Sequence, residues 1–230
     1  MFKRFHCFFE QSGTFKNEFK KLGFESYDYD VLNDFGETDF VMDLFHEIDE
    51  AFEDRPSVFD KFNDEDLIFA FFPCTRFECQ SAVLFRGEAP QFKKYTDEEK
   101  VEYSRNLHKE LSAMYESVCR LFLLCYRRKL RMITENPYRA PHYLTNFFPV
   151  KPRIIIQDRN AWGGDYYKKP TQFWCLNFEP YENFIFEPIY YTEYKTIEHR
   201  KGGGHERQVN RSLIHPQFAN RFIRTYLIPQ

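Results

Sequence analysis

The sequence lacks most patterns that mark a metal site, a disulfide-stapled domain or a membrane segment. Its 230 residues include six cysteines, but none forms a C-x-x-C pair and no Cys/His cluster has zinc-ligand spacing. We therefore predict no metal site and a reduced protein with free thiols, because disulfides belong to oxidising compartments. No stretch approaches the roughly 20 apolar residues of a membrane helix, and the N-terminus has no apolar core of signal-peptide length.

An excess of charge of one sign is also missing. The formal net charge is −3, so no overall positive field points to a nucleic-acid partner, although a local basic patch remains compatible with it. Aromatic residues are plentiful, at 20% of the chain with 28 phenylalanines, and Phe should supply much of the core. The length suits one α/β domain with an insertion, or two small domains.

A short apolar run, DLIFAFFPC, ends in a cysteine. A run this short and rich in Phe and Ile predicts a buried strand rather than a helix. Pro73 would stop the sheet pairing and leave Cys74 at the carboxyl end of the strand, where open α/β sheets place their ligands. From these residues alone, Cys74 is either a nucleophile or a buried core thiol.

Two later strands end in the same way. LRMIT, residues 130–134, is followed by Glu135-Asn136-Pro137, and RIIIQ, residues 153–157, leads to Asp158 and Arg159. Because parallel strands end at one edge of a sheet, we expect Cys74, Glu135 and Arg159 to share that edge.

The first 30 residues predict a strand, a small-residue turn, a helix and a second strand. Gly13 lies in the turn, where a ligand can approach a helix N-terminus, and Asp28 lies near the end of the second strand, where acidic residues bind ribose hydroxyls. An ordinary βα turn and a solvated carboxylate explain these two residues equally well. Residues 38–43 predict either a third strand or a short turn that ends at Asp43, and Asp43 is either an adenine ligand or a surface residue.

The remaining chain contains one strong helix and one irregular region. Thr96 and Glu99 form a capping box, and apolar residues recur at helical spacing to about Arg128. Residues 160–208 lose helix signals and mix aromatic with basic residues, which favours either a nucleic-acid surface or a solvated loop. A C-terminal helix from Pro216 should pack back onto the main sheet.

The ordered set of motifs resembles the cytosine-5 DNA methyltransferases, particularly the compact phage and mobile-element type. The stretches that carry the resemblance are Phe9-Glu10-Gln11-Ser12-Gly13-Thr14-Phe15, Tyr27-Asp28-Tyr29-Asp30, Phe72-Pro73-Cys74, Glu135-Asn136-Pro137 and Gln157-Asp158-Arg159. KKPTQFWCLNF and RSLIHPQFANRFI are similar to later segments of the phage-type members. The resemblance covers nearly the whole chain.

The resemblance implies a Rossmann-like S-adenosylmethionine-dependent methyltransferase sheet with a small irregular recognition insertion. The implied division is a cofactor-binding and catalytic domain at 1–159, a target-recognition insertion at 160–208 and a C-terminal helix at 209–230. The implied activity is methyl transfer to carbon 5 of cytosine in double-stranded DNA through a covalent adduct, by a cytoplasmic or nucleoid-associated monomer in a bacterial or phage-infected cell. Methylation of RNA, and an inactive nucleic-acid-binding member of the fold, are the alternatives.

The resemblance also assigns site residues. The implied catalytic residues are Cys74 as nucleophile, Glu135 on the ring nitrogen and exocyclic amine, and Arg159 on the carbonyl oxygen or a phosphate. The implied S-adenosylmethionine contacts are Phe9, Gln11, Ser12, Gly13, Thr14, Asp28, Tyr29, Asp43 and Pro73. The candidate nucleic-acid contacts are Arg76, Lys168, Lys169, Arg200, Lys201, Arg207 and Arg211.

The sequence departs from the family pattern at three places. Gln11 stands where the first motif has a second small residue, and Ala161 replaces the last Arg of Gln-x-Arg-x-Arg. The nucleophile is followed by Thr75-Arg76-Phe77-Glu78 instead of Gln-x-Phe-Ser. We expect these positions to decide whether the cofactor fits and whether the nucleophile works.

Overall fold

The computed structural model describes residues 2–78, 81–190 and 213–229. These residues form an α/β fold with seven helices and a seven-strand mixed sheet. The strands are β1 (Arg4–Phe8), β2 (Glu25–Asp30), β3 (Phe40–Val41), β4 (Asp66–Ala70), β5 (Arg131–Pro137), β6 (Ile154–Ile156) and β7 (Thr171–Leu176). The helices are α1 (Thr14–Lys21), α2 (Leu44–Phe52), α3 (Ser81–Phe85), α4 (Asp97–Arg128), α5 (Tyr143–Phe147), α6 (Arg159–Gly163) and α7 (Pro216–Tyr226).

The sheet has the strand order β3-β2-β1-β4-β5-β7-β6. Strands β1 to β5 are parallel, and β7 runs antiparallel to both β5 and β6. All strands except β7 therefore end at the same edge of the sheet. Because the order reverses between β1 and β4, the sheet has a switch point there, where open α/β sheets bind ligands. The predicted α/β class is confirmed, and the arrangement is compatible with a Rossmann-like fold.

Helices cover both faces of the sheet because successive side chains of its central strands point in opposite directions. In β4, Ile68 packs with residues of α2 and α4, whereas its neighbour Phe69 packs with residues of α1 and α7. The first face includes Phe122 of α4, and the second includes Phe222 of α7. Helix α7 thus packs back onto the sheet, as we expect from the sequence.

Helix α4 confirms the strongest helix prediction. It spans 32 residues, Asp97–Arg128, and Thr96 and Glu99 form the predicted capping box. Lys129 ends the helix in the left-handed conformation, with φ of 54°, and leads directly into β5. Because α4 connects the adjacent parallel strands β4 and β5, it supplies the crossover that such strands need.

The region predicted to be an irregular insertion contributes a strand to the sheet. Residues 171–176 form β7 between β5 and β6, and Thr171 to Trp174 are all buried. A strand covered on both faces has no polar alternation, so the sequence pattern does not reveal it. The predicted boundary at residue 160 therefore separates β7 from its own sheet. Residues 191–212 lie outside the described ranges, and the target-recognition role of 160–208 stays a prediction.

Candidate active site at the carboxyl edge of the sheet

The candidate nucleophile lies just beyond the end of β4, next to the switch point. Phe72 and Pro73 leave the strand, and the chain then makes one helical turn in which the amides of Phe77 and Glu78 donate to the carbonyl of Cys74, at 2.8 and 3.0 Å. Phe77 is buried, and its carbonyl accepts a hydrogen bond from the amide of Tyr143 at 2.9 Å. The turn is therefore fixed to α5.

The thiol of Cys74 has two carboxylates and one ammonium group in its surroundings. It donates a hydrogen bond to Oε1 of Glu78 at 3.3 Å. Burial raises the pKa of Cys74 to about 12; Lys169 opposes this shift, and the negative charges of Glu78 and Glu135 reinforce it. The resting thiol is therefore protonated at neutral pH.

Glu135 lies inside β5, because the strand continues through Pro137. Pairing of β5 with β4 ends at Thr134, but pairing with β7 continues to Pro137. Beyond Thr134, Nδ2 of Asn136 links β5 to the segment that follows β4 by donating a hydrogen bond to the carbonyl of Phe72 at 2.9 Å. Glu135 is 7% exposed, and its Oε1 has no hydrogen-bond partner among the described residues. Such a buried oxygen can accept a proton-bearing group of a ligand.

Arg159 is the first residue of α6, the helix that follows β6. Its Nη1 lies 3.9 Å from Oε1 of Glu135, and its Nη2 lies 2.6 Å from Oδ2 of Asp165. The guanidinium also lies over the ring of Phe218, 4.6 Å from its centroid. The structure therefore brings Cys74, Glu135 and Arg159 to one edge of the sheet, as the strand ends predict.

The turn between β1 and α1 contains a buried acid that sequence reasoning missed. Oε1 of Glu10 accepts hydrogen bonds from the amide of Phe15 at 2.9 Å and the hydroxyl of Ser12 at 3.3 Å. Burial raises the pKa of Glu10 to about 7, and its Oε2 makes no hydrogen bond among the described residues. The available signal was an acidic residue directly between a strand and a helix N-terminus.

The other predicted residues of this turn have local partners. The hydroxyls of Ser12 and Thr14 lie 3.0 Å apart, and Oε1 of Gln11 accepts from the amide of Asp34 at 3.1 Å. Gln11 therefore points to the loop after β2. Phe9 and Gly13 have positive φ angles of 58° and 64°, and Phe9 packs on the ring of Phe72.

The loop after β2 covers the outer side of Gly13. A Cβ atom at Gly13 would lie 3.1 Å from Oε2 of Glu37 and 3.2 Å from Nδ2 of Asn17. Those two side chains are hydrogen-bonded to each other. A ligand that approaches Gly13 along the direction of a Cβ atom must therefore displace the side chain of Glu37.

Asp28, the predicted ribose ligand, lies in a buried ion-pair network. Its Oδ1 accepts hydrogen bonds from Nζ of Lys16 at 3.2 Å and from the amide of Asp39 at 2.7 Å. Tyr29 is also buried, with its hydroxyl 3.0 Å from Nδ1 of His6. The last residue of β2 is Asp30, which is half-buried. The carboxylate at the strand end is therefore that of Asp30.

Asp43 and Arg76 have structural partners. Asp43 caps α2 by accepting from the amides of Phe45 and His46. Nε of Arg76 lies 2.5 Å from Oε2 of Glu110 in α4. Neither contact needs a ligand, so both residues have a stabilising role in this structure.

The predicted basic contacts divide into two groups. Lys168 is exposed and Lys169 is half-buried, and the charge of Lys169 acts on Cys74 and on the buried His142. Lys169 thus belongs to the surroundings of the nucleophile. The predicted contacts that lie outside the described residues are Arg200, Lys201, Arg207 and Arg211.

No family model and no curated protein matches the chain. Five cysteines in the described ranges are free, and in those same ranges no cluster of His, Cys, Asp and Glu is arranged to hold a metal ion. None of the described helices combines the length and hydropathy that a membrane span requires.

Proposed function

We propose that the protein transfers a methyl group from S-adenosylmethionine to carbon 5 of cytosine in DNA through a covalent adduct of Cys74. One observation carries the proposal: three chemically complementary groups, separated by 85 positions between Cys74 and Arg159, lie at the carboxyl edge of the sheet, where open α/β sheets bind ligands. Glu135 acts electrostatically on Cys74, and Arg159 lies 3.9 Å from Glu135. A fold-stabilising role alone does not require a thiol at this position.

The chemistry uses each of the three groups. Carbon 5 of cytosine is a weak nucleophile, and addition of the sulfur of Cys74 to carbon 6 makes it an enamine carbon that can attack an electrophilic methyl group. The buried Glu135 binds the ring nitrogen and the exocyclic amine and stabilises the positive charge that develops there. Arg159 holds the carbonyl oxygen of the base or a neighbouring phosphate. Because the thiol is protonated at rest, it must lose its proton as the base binds.

The turn after β1 offers a fitting place for the cofactor, which supplies the methyl group when bound. S-adenosylmethionine carries an ammonium and a sulfonium group, and Glu10 presents a buried carboxylate oxygen without a hydrogen-bond partner in the described part of the chain. Asp30, at the end of β2, would bind the ribose hydroxyls. Ser12, Gly13 and Thr14 would line the methionine portion once the side chain of Glu37 has moved.

Nucleic acid is the substrate class that suits this edge. A cytosine must leave the base stack to reach a half-buried thiol, and the exposed Lys168 lies close to Arg159, whose amide donates to the Lys168 carbonyl at 2.9 Å. The same pocket chemistry applies to cytosine in RNA. An inactive binding protein would not need the thiol, so a covalent trap separates these possibilities.

The decisive experiment is incubation with S-adenosylmethionine and a DNA duplex that contains 5-fluorocytosine. Fluorine blocks the last elimination step, so the protein should remain covalently joined to the DNA at Cys74. Cys74→Ser should form no adduct, whereas Cys119→Ser, which changes another half-buried thiol in α4, should react normally. An adduct with RNA alone would transfer the activity to RNA, and no adduct with either nucleic acid would refute a methyltransferase function.

A further inference from the structure

Glu78 lies beside the nucleophile because of a single helical turn. Cys74 and Glu78 are four residues apart, the spacing that places two side chains on the same side of a helical turn. The hydrogen bond from the amide of Glu78 to the carbonyl of Cys74, at 3.0 Å, closes that turn. The result is a carboxylate oxygen 3.3 Å from the sulfur.

The residues before Glu78 fix the turn that carries this carboxylate. Before Glu78, Phe77 is 1% exposed and bonded through its carbonyl to the amide of Tyr143. Arg76 is tied to Glu110 of α4. Among the described residues, no Lys, Arg or His forms an ion pair with Glu78, so its carboxylate is available to the thiol.

We propose that Glu78 is the catalytic base that removes the thiol proton of Cys74 as the sulfur adds to cytosine. This role rests on the function proposed above. The S–H bond breaks and its proton passes to Oε1 of Glu78, while the sulfur forms a bond to carbon 6. The electron pair of the double bond between carbons 5 and 6 moves toward carbon 5. In the final elimination water takes the proton from carbon 5, the electron pair of that bond re-forms the double bond between carbons 5 and 6 as the bond between sulfur and carbon 6 breaks, and the carboxylic acid of Glu78 returns its proton to the sulfur.

Other titratable groups near the thiol are less suited to this step. Glu135 is engaged with Arg159 and is needed for the cytosine ring. Lys169 carries a positive charge, which stabilises the thiolate but cannot accept its proton. His142 is 1% exposed, and neither of its ring nitrogens makes a hydrogen bond among the described residues. Glu78 accepts the hydrogen bond of the thiol directly.

The test compares two reactions of the same sulfur in the full chain. The first is alkylation of Cys74 by iodoacetamide as a function of pH, followed by mass spectrometry, with Cys119 as an internal reference. The second is the rate of covalent trapping on 5-fluorocytosine DNA with S-adenosylmethionine. Glu78→Gln keeps the shape of the side chain and removes its charge and basicity, and Glu88→Gln is the control on an exposed carboxylate paired with Arg86.

Glu78→Gln should move the two rates in opposite directions. Loss of a neighbouring negative charge lowers the pKa of the thiol, so alkylation of Cys74 at a fixed pH should rise by about threefold to tenfold. Loss of the base should slow trapping by about 100-fold or more. In Glu78→Asp, Cys74 should be alkylated at the rate of the unchanged protein, and part of the trapping rate should be recovered. Glu88→Gln should change neither rate.

Each other result overturns the assignment. If both rates rise in Glu78→Gln, the carboxylate only suppresses the thiolate, and if both fall, its role is structural. If Glu78→Gln is trapped as fast as the protein with the natural sequence, Glu78 is not the base. The proposed methyl transfer would still stand, because the adduct forms. Failure of the unchanged protein to form any adduct would refute the proposed methyl transfer and this role together.

Discussion

Arg159 and Glu135 place opposite charges 3.9 Å apart at the edge of the sheet, and both side chains are more than nine-tenths buried. The same guanidinium lies 2.6 Å from the carboxylate of Asp165. One cation therefore compensates two buried anions, one on β5 and one in the loop after α6. The arrangement stabilises the fold and also fixes the charge balance of the candidate active site.

Removal of this cation should destabilise the whole domain. Arg159→Met would leave Glu135 and Asp165 buried without their positive partner, and the expected loss in the free energy of unfolding is about 3 to 5 kcal/mol. Urea denaturation followed by circular dichroism measures it. The control is Arg153→Met, an exposed arginine paired with Glu179, for which we expect a loss below about 1 kcal/mol. Equal losses in the two variants would show that Arg159 is not the central cation.

We expect the two acids of β2 to have different roles, Asp28 in the stability of the fold and Asp30 in cofactor binding. Asp28→Ala removes the main partner of the buried Lys16 and should lower the free energy of unfolding by about 3 kcal/mol. Asp30→Ala should change it by no more than about 1 kcal/mol, yet weaken binding of S-adenosylmethionine by about tenfold or more, because a ribose hydrogen bond to a charged group is lost.

Denaturation and titration calorimetry with S-adenosylmethionine measure these two quantities on the same preparations. Binding that survives in Asp30→Ala but not in a folded Asp28→Ala would return the ribose contact to Asp28. The assignment of Asp30 to the ribose would then be wrong.

Patterns that depend on local chemistry could be predicted from the sequence. The capping box at Thr96 and Glu99 located the start of α4, whereas β4 ends at Ala70, three residues before the Pro that was expected to stop it. The edge shared by Cys74, Glu135 and Arg159 followed from strand ends alone, because parallel strands must end together.

Features that depend on three-dimensional surroundings could not be predicted in this way. Thr171 to Trp174 lack strand alternation because both faces of β7 are covered, so the strand resembled an irregular region. Asp28 and Asp30 are two residues apart and share a face of β2, and only the position of Lys16 identifies the buried one. Lys169 resembled a surface base in the sequence, whereas the fold brings its charge close to Cys74.

Burial of Glu10 should make the stability of the protein depend on pH. The folded-state pKa of Glu10 is raised to about 7 by burial, above the roughly 4.3 of an exposed Glu. Its stabilising contribution is therefore fully present below about pH 4 and is lost as the pH rises through 7.

Glu10→Gln keeps an oxygen that can accept from the amide of Phe15 but cannot ionise. Between pH 4 and 8 the unchanged protein should lose about 3 kcal/mol relative to this variant, as measured by urea denaturation at each pH. The free energy of unfolding of Glu88→Gln should change with pH as that of the unchanged protein does. If that of Glu10→Gln does so too, ionisation of Glu10 in the folded protein costs no free energy and the prediction is wrong.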